Sequence, residues 1–411
     1  MRHAHAEPML AVEEARERVL AAFDALVPER VALAEALERV LAEEIIASED
    51  IPPYANSSMD GYAVCAADTV GAGPESPLRL TVVGEVAAGH VPEAEVKPGT
   101  AVRIMTGAIV PPGADAVVKV EDTDGGQDRV AIAAEVAEGN YVRPAGEDVH
   151  RGQRVLPPGR RLGPAELGML AALGVPELVV TRRPRVAILS TGDELLPLEA
   201  PLAPGKIRDA NSTSNASQVR QLGAEPVVLG IARDEVDDLS AKIRAGLAQE
   251  VDLFLSSGGV SMGDFDLVKD VLAAQGAIDF WKVRMKPGKP LAFGHIGGVP
   301  FLGLPGNPVS VMVSFEAFVR PALAKMLGWI DWQRPVVEAT LMDTIPHKDE
   351  RRHYVRVRLT WVDGEYRAYL TGEQGSGILS SMVEADGLAI IPELWERVHA
   401  GTSVEVILLD E

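Results

Sequence analysis

From Arg185 to Leu327, short apolar runs alternate with longer helical patterns, and this alternation constrains the fold more than any other feature of the chain. Strands are expected near residues 185–190, 226–231, 252–256 and 299–303. Helices are expected near residues 212–222, 235–249, 264–275 and 309–327. Strands separated by helices are joined by right-handed crossovers, which lay them parallel in one sheet. A doubly wound α/β domain is the result, and such sheets bind ligands outside the carboxyl ends of their strands. The turns that follow these strands are therefore the places to look for chemistry.

One turn follows Asp252-Leu253-Phe254-Leu255. It reads Ser256-Ser257-Gly258-Gly259-Val260-Ser261 and carries almost no side-chain bulk. Paired glycines let the backbone reach positive φ and approach a ligand. Serine hydroxyls and the amides opening the next helix suit a phosphate or oxyanion. Asp264 and Asp266 follow, and carboxylates beside an anion invite a divalent cation. A second turn, Ser190-Thr191-Gly192-Asp193-Glu194-Leu195, repeats that logic, with Asp193 as an N-cap the plainer alternative. Asp234, just past the second strand, is either a third carboxylate or the cap of the helix from Glu235. The third turn is Leu304-Pro305-Gly306-Asn307-Pro308. Its prolines fix φ twice, and Pro308 can open a helix.

Upstream of that turn lies Trp281-Lys282-Val283-Arg284-Met285-Lys286-Pro287-Gly288-Lys289-Pro290. Residues 282, 284 and 286 would share one face of an extended strand, with Lys289 following across a Pro-Gly turn. The chain has 60 acidic against 39 basic residues, a formal charge of −21, so this concentration of cations is not a generic basic surface. Glu194, Asp234 and Asp266 facing Lys282, Lys286 and Lys289 across one sheet edge point to a polyanion held with a divalent metal. The same acidic balance argues against nonspecific binding to nucleic acid or anionic membranes.

The 411 residues exceed one typical domain, and about two to four are expected. Residues 9–27 show helical apolar spacing closed by Pro28. A second helical piece spans about Leu33 to Ala42, and Ile45-Ile46-Ala47 is a strand candidate. From Leu80 to Val155 short β segments recur between Gly and Pro turns, the texture of a compact β domain. Asp60 (a tight-turn residue if read alone), Thr106 and Asp148 occupy small polar turns there, a possible second wall for the pocket. After Pro335 the texture is β again to Leu409. Gln374-Gly375-Ser376-Gly377 reads equally as a ligand-facing turn or a plain hairpin. No apolar run reaches a membrane-spanning length and no apolar signal core opens the chain, so a cytoplasmic location is expected. Cys65 is alone, which excludes an intrachain disulfide or cysteine metal cluster.

These residues carry a resemblance. Ser57-Ser58-Met59-Asp60-Gly61-Tyr62-Ala63-Val64, Arg103-Ile104-Met105-Thr106-Gly107-Ala108, Ala145-Gly146-Glu147-Asp148, Ser190 to Leu195, Ser256 to Ser261, Lys286 to Pro290 and Leu304 to Ser310 stand in order. Together they resemble the motif series of the bacterial MoeA family, molybdopterin molybdenumtransferases also similar to the E domain of gephyrin. Met262-Gly263-Asp264-Phe265 departs from the usual small-residue run, but Asp266 is kept. The resemblance implies a multidomain α/β plus β protein. Residues 1–50 with 145–180 would form a helical linker domain, 51–144 a mostly β domain, 181–330 the doubly wound molybdopterin-binding domain, and 331–411 a small barrel-like β domain.

It also implies a transferase that moves molybdenum from molybdate to adenylylated molybdopterin with release of AMP, completing molybdenum cofactor biosynthesis. On that reading Lys282, Lys286, Lys289, Pro305, Gly306, Asn307 and Pro308 serve the molybdate. Thr191, Gly192, Ser256, Ser257, Gly258, Gly259 and Ser261 serve the phosphoanhydride. Mg²⁺ would be held by some of Glu194, Asp234 and Asp266. Asp60, Thr106 and Asp148 would orient the pterin and Arg143 a phosphate, from the second subunit of a homodimer. Contacts to other proteins of molybdenum cofactor biosynthesis would follow. Two alternatives stay open: an enzyme of the same superfamily that adenylylates molybdopterin or cleaves nucleotide pyrophosphates, and a scaffold that binds a partner helix. The Asp60, Thr106 and Asp148 turns and the Leu304–Pro308 turn favour the transferase.

Overall fold

The computed structural model describes residues 9–258, 276–346 and 349–409. Its central sheet has six strands, in the order Glu225–Ala232, Arg185–Thr191, Leu253–Ser257, Val299–Leu304, Pro290–Ile296 and Gly276–Lys282. The first four are the expected strands and run parallel. The last two, not foreseen as strands, extend the sheet antiparallel. Gly297 and Gly298, both at positive φ (56° and 86°), make the two-residue hairpin that reverses the chain. The sheet is therefore mixed, with a parallel half that carries the crossovers.

Val186, Ala187, Ile188 and Leu189 are all buried, the continuous apolar run of a strand covered on both faces. On one face Val186, Ile188, Leu253 and Leu255 join Val219 and Val309. On the other, Ala187, Leu189 and Phe254 meet Leu239 and Ile243 of the helix Val236–Leu247. Phe254 is only 1% exposed, and burying a side chain of that size contributes about 1.5–3 kcal/mol. The Arg185–Thr191 strand is followed in sequence by its neighbour on one side, while Leu253–Ser257 lies on the other. Winding direction reverses at that pair, and a crevice opens outside its carboxyl end.

The helix expected over 309–327 is Pro308–Ser314 and Arg320–Leu327, joined by a π-helical turn, Phe315–Val319. Pro321 supplies no N–H and its ring would strike the carbonyl four residues back, so the turn widens ahead of it. The helix expected over 264–275 lies outside the described residues. At the N-terminus the helix is Val12–Leu20, shorter than expected, burying Val12, Ala15 and Val19. Pro28 begins a strand, Pro28–Ala32, antiparallel to Glu177–Thr181. The helical piece expected over 33–42 reduces to one turn, Leu33–Glu35. There Val40 and Leu41 are both buried, bridging Arg161 and Val180, a pairing a helix could not make.

Residues of the β-rich region form a five-stranded sheet, ordered Ala116–Lys119, Gly61–Val64, Thr100–Ile104, Leu78–Val86 and Arg129–Ile132. Near the C-terminus Val336–Leu341, Arg352–Val362, Glu365–Leu370, Gly387–Ile391 and Ser403–Leu408 close into a barrel. A two-residue strand, Met285–Lys286, pairs in parallel with Arg352 and His353, tying this barrel to the α/β sheet. Among the described residues no helix is long and apolar enough to cross a membrane.

Candidate functional site

A cleft of about 640 Å³ opens at the carboxyl edge of the parallel strands. Five separate stretches contribute to its lining: Thr191, Gly192 and Glu194; Asp234; Gly258; Lys286 to Pro290; and Pro305 to Pro308. The three expected turns therefore do converge.

The backbone makes the convergence possible at two glycines. Gly258 sits at φ +88°, and a Cβ there would fall 2.6 Å from the Thr191 carbonyl oxygen. Gly192 sits at φ +143°, and its missing side chain leaves the space that the Glu194 carboxylate occupies. Ser256 and Ser257 behave differently from expectation. The strand runs on through Ser257, both residues are buried, and neither lines the cleft. The Ser257 hydroxyl lies 3.1 Å from that of Ser190, which in turn lies 2.9 Å from Ser212. These hydroxyls tie two strands and a helix together, and Ser257 also lines a small pocket that adjoins the cleft at Thr191, Glu194, Gly258 and Gly306. Gly259, Ser261 and Asp266 lie outside the described residues.

Carboxylates crowd one wall. The Asp234 amide donates to Asp193 Oδ1 (3.3 Å). Partial burial, together with the Asp193 and Glu194 charges, pushes the Asp234 carboxyl above the ordinary aspartate value. Neither aspartate is a helix cap: Glu235 takes that place for Val236–Leu247, and Asp193 is followed by the short strand Leu195–Leu196 rather than a helix. Among the described residues no three acidic, cysteine or histidine side chains form a ready-made metal cage. A partly buried carboxyl with another beside it fits Mg²⁺, a hard cation that keeps several waters and takes few protein ligands. Glu194 and Asp234 are the residues here that would hold it.

Cations line another part of the cleft. Lys286 and Lys289 line the cleft, and so does Arg351, which the sequence reading missed. Lys282 does not. Its strand ends there, and the Met285 amide folds back to the Val283 carbonyl (2.8 Å), so the alternation that would have put residues 282 and 286 on one face is broken. The Gln374-Gly375-Ser376 turn also lines the cleft. Asn307 Nδ2 donates to Ser376 Oγ (3.0 Å), and the Val309 amide donates to the Ser376 carbonyl (3.1 Å). Beneath this turn Arg356 is fully buried, donating to Gly375 O and Ser381 Oγ (3.0 Å each), and burial lowers its pKa to about 10.

Asp60, Thr106, Arg143 and Asp148 lie in the β-rich region, and none lines this cleft in the single chain. The Thr106 amide and hydroxyl both donate to Asp60 Oδ1 (2.7 Å each), which holds the Asp60 carboxyl below its ordinary value. Arg143 is in a short strand beside Asn56 and Ser57, and the Gly107 amide donates to the Ser57 carbonyl, so these groups share one end of the region. Asp148 is exposed, its amide donating to the Ile51 carbonyl (2.9 Å).

Residues 10–174 match the model for the MoeA N-terminal region (domain I and II). Residues 187–325 match a probable molybdopterin binding domain, and residues 338–409 the MoeA C-terminal region (domain IV). Molybdopterin molybdenumtransferase 2 of Mycobacterium tuberculosis (strain ATCC 25618 / H37Rv) is 41% identical over 404 residues, covering 97% of this chain and 99% of the relative. The molybdopterin molybdenumtransferase of Nostoc sp. (strain PCC 7120 / SAG 25.82 / UTEX 2576) is 40% identical, covering 90% and 86%. The solved structure of the molybdopterin biosynthesis MoeA protein from Pyrococcus horikoshii OT3 superposes with a TM-score of 0.84 at 33% identity, covering 98% of this chain and 100% of that one. With 97% of its length matched in sequence and its fold matched in structure, the chain belongs to the MoeA family of molybdopterin molybdenumtransferases.

Proposed function

We propose that this protein transfers molybdenum from molybdate to the dithiolene of adenylylated molybdopterin and releases AMP. The observation that carries the reading is the cleft at the winding reversal, with cations lining one part of it and carboxylates another. Molybdate is a tetrahedral dianion, which suits Lys286, Lys289 and Arg351; charge-assisted donors of this kind are roughly twice as strong as neutral ones. The phosphoanhydride suits the close backbone at Gly192 and Gly258. Its cleavage depends on charge neutralisation and in-line positioning more than on a strong base. Mg²⁺ at Glu194 and Asp234 would supply that neutralisation. Binding both substrates in one cleft would hold the dithiolene sulfurs beside the oxyanion: water adds across the P–O bond that breaks, so AMP departs and the pterin keeps its phosphate, while molybdate oxygens leave as water as the sulfurs bind.

Asp60, Thr106, Asp148 and Arg143 complete the pocket from a second subunit of a homodimer. The grouping of Asp60, Thr106 and Arg143 at one end of the β-rich region, outside the lining of their own chain's cleft, supports that arrangement. The division of the chain at about residues 50, 145, 180 and 330 follows the separate sheets and clusters, and the cytoplasm is the compartment in which the reaction belongs. Single-turnover reaction of the protein with adenylylated molybdopterin and molybdate tests the proposal. Molybdate-dependent release of AMP supports it; AMP release indifferent to molybdate would reduce the activity to pyrophosphate-bond cleavage.

A further inference from the structure

The cationic wall contains an acid that the family motifs quoted above do not include. Asp349 accepts three hydrogen bonds from Arg351: from the backbone amide to Oδ1 (3.2 Å), Nε to Oδ1 (3.0 Å) and Nη2 to Oδ2 (2.8 Å). Its Oδ2 lies 3.7 Å from Lys286 Nζ, and its Oδ1 lies 3.1 Å from Nε2 of the buried His353. Backbone pairing holds this group in register, because Lys286 stands opposite His353 in the parallel ladder. Lys286 and Arg351 line the cleft, and Asp349, which is not part of the lining, touches both of them.

We propose that Asp349 is a specificity-determining residue of the oxyanion seat: its carboxylate shares Lys286 and Arg351 with the incoming anion and trims the positive charge of that wall. The inference rests on reading the Lys286 wall as the seat of the oxyanion. Lys286, Lys289 and Arg351 against one carboxylate leave that wall net positive by two, the charge that a tetrahedral dianion neutralises. A fixed negative charge beside the seat repels a bound anion in proportion to the anion's own charge. Asp349 therefore weakens a dianion by the square of the factor by which it weakens a monoanion of equal size. The consequence is an oxyanion held firmly enough to be positioned and loosely enough to be handed to another ligand.

Molybdate and perrhenate are tetrahedral and similar in size but carry two charges and one. Their dissociation constants are to be measured by equilibrium dialysis at low ionic strength for the wild-type protein, Asp349→Asn and Asp349→Glu. Asp349→Asn is expected to tighten perrhenate about 5-fold and molybdate about 25-fold, with the gain shrinking as salt is added. Asp349→Glu is expected to keep the wild-type ratio between the two anions. If the Asn variant changes both anions by one common factor, or weakens both, Asp349 merely anchors Arg351 and the inference is overturned. If the wild-type protein binds neither anion, the seat itself is wrong and the inference falls with it. Circular dichroism on each variant establishes that folded protein is being compared.

Discussion

Two regions of this molecule carry acidic side chains at polar turns, and they treat them in opposite ways. At Asp60 the carboxylate is satisfied within its own region, by the Thr106 amide and hydroxyl, and its pKa falls. At Asp234 the carboxylate is crowded by Asp193 and Glu194, partly desolvated, and its pKa rises. The first is a finished local structure that faces outward; the second is a partly buried carboxyl set beside two others. A group that is locally content can be presented to a distant partner, whereas a crowded group marks where something charged must enter. The β-rich region therefore reads as a presenting surface and the α/β cleft as a receiving one.

The sharpest way to break that contrast is to separate its halves. Asp60→Asn and Glu194→Gln, each alone, should lower the rate of molybdate-dependent AMP release by at least about 100-fold. Co-expressed as verified heterodimers, the two variants should recover activity, because one of the two composite pockets then carries neither lesion. Heterodimers as inactive as their parents would mean that Asp60 and Glu194 serve one chain, and that the β-rich region does not face a second subunit.

Next in size is the cationic wall. Lys286→Ala should raise the molybdate concentration for half-saturation about 10- to 100-fold, the equivalent of about 1.5–3 kcal/mol for a charge-assisted contact. The requirement for adenylylated pterin should change little. An effect on the pterin alone would assign this lysine to the nucleotide end and leave the oxyanion to Lys289 and Arg351.

The two regions were not equally legible in the sequence. Four parallel strands announced themselves because each is a short apolar run closed by a small polar turn, and Thr191, Gly192, Glu194, Asp234 and Gly258 sit where those turns converge. The antiparallel edge did not, because its hairpin is separated by the basic run 282–289, which looks like a single extended strand. Lys282 was misplaced for that reason: a two-residue alternation is informative only while the strand lasts, and this strand ends at Lys282 itself. Ser256 and Ser257 looked like turn residues by size, yet strand pairing with Ser190 draws them inside. Arg351 carried no local signal at all. It reaches the cleft through the pairing of Met285–Lys286 with Arg352 and His353, a contact between distant stretches of chain. Pro28–Ala32 was hidden by its charged residues and its proline, which at that place read as the end of a helix.

A smaller effect probes how tightly the receiving cleft depends on backbone approach. Gly258→Ala introduces a side chain at φ +88° and 2.6 Å from the Thr191 carbonyl oxygen, so both conformation and space oppose it. The expected loss of stability is about 1–3 kcal/mol, read as a lower urea midpoint at unchanged m-value. By contrast Gly125→Ala, in the β-rich region at φ +70° with nothing within 4 Å, should lose less, since only conformation opposes it. Equal losses at the two positions would show that close packing at Thr191 contributes nothing to the difference.

The smallest expected effect tests the crowding itself, and its sign is opposite to that of most substitutions at a functional site. A carboxyl whose folded-state pKa is raised stabilises the fold only while it is protonated. That contribution is complete below the ordinary aspartate value of 3.8 and is lost as pH rises through the raised one. At neutral pH the ionised Asp234 therefore opposes folding, through desolvation first and through Asp193 and Glu194 after it. Asp234→Asn removes the charge and keeps the shape. Its Tm should match that of the wild-type protein near pH 4, exceed it by a few degrees at pH 8 in EDTA, and lose part of that advantage when millimolar Mg²⁺ is added. Activity should fall throughout, because the group that burdens the empty fold is the one the cation needs. A variant less stable than the wild-type protein at pH 8, or a gap unmoved by Mg²⁺, would mean that Asp234 is already satisfied, and the contrast with Asp60 would vanish.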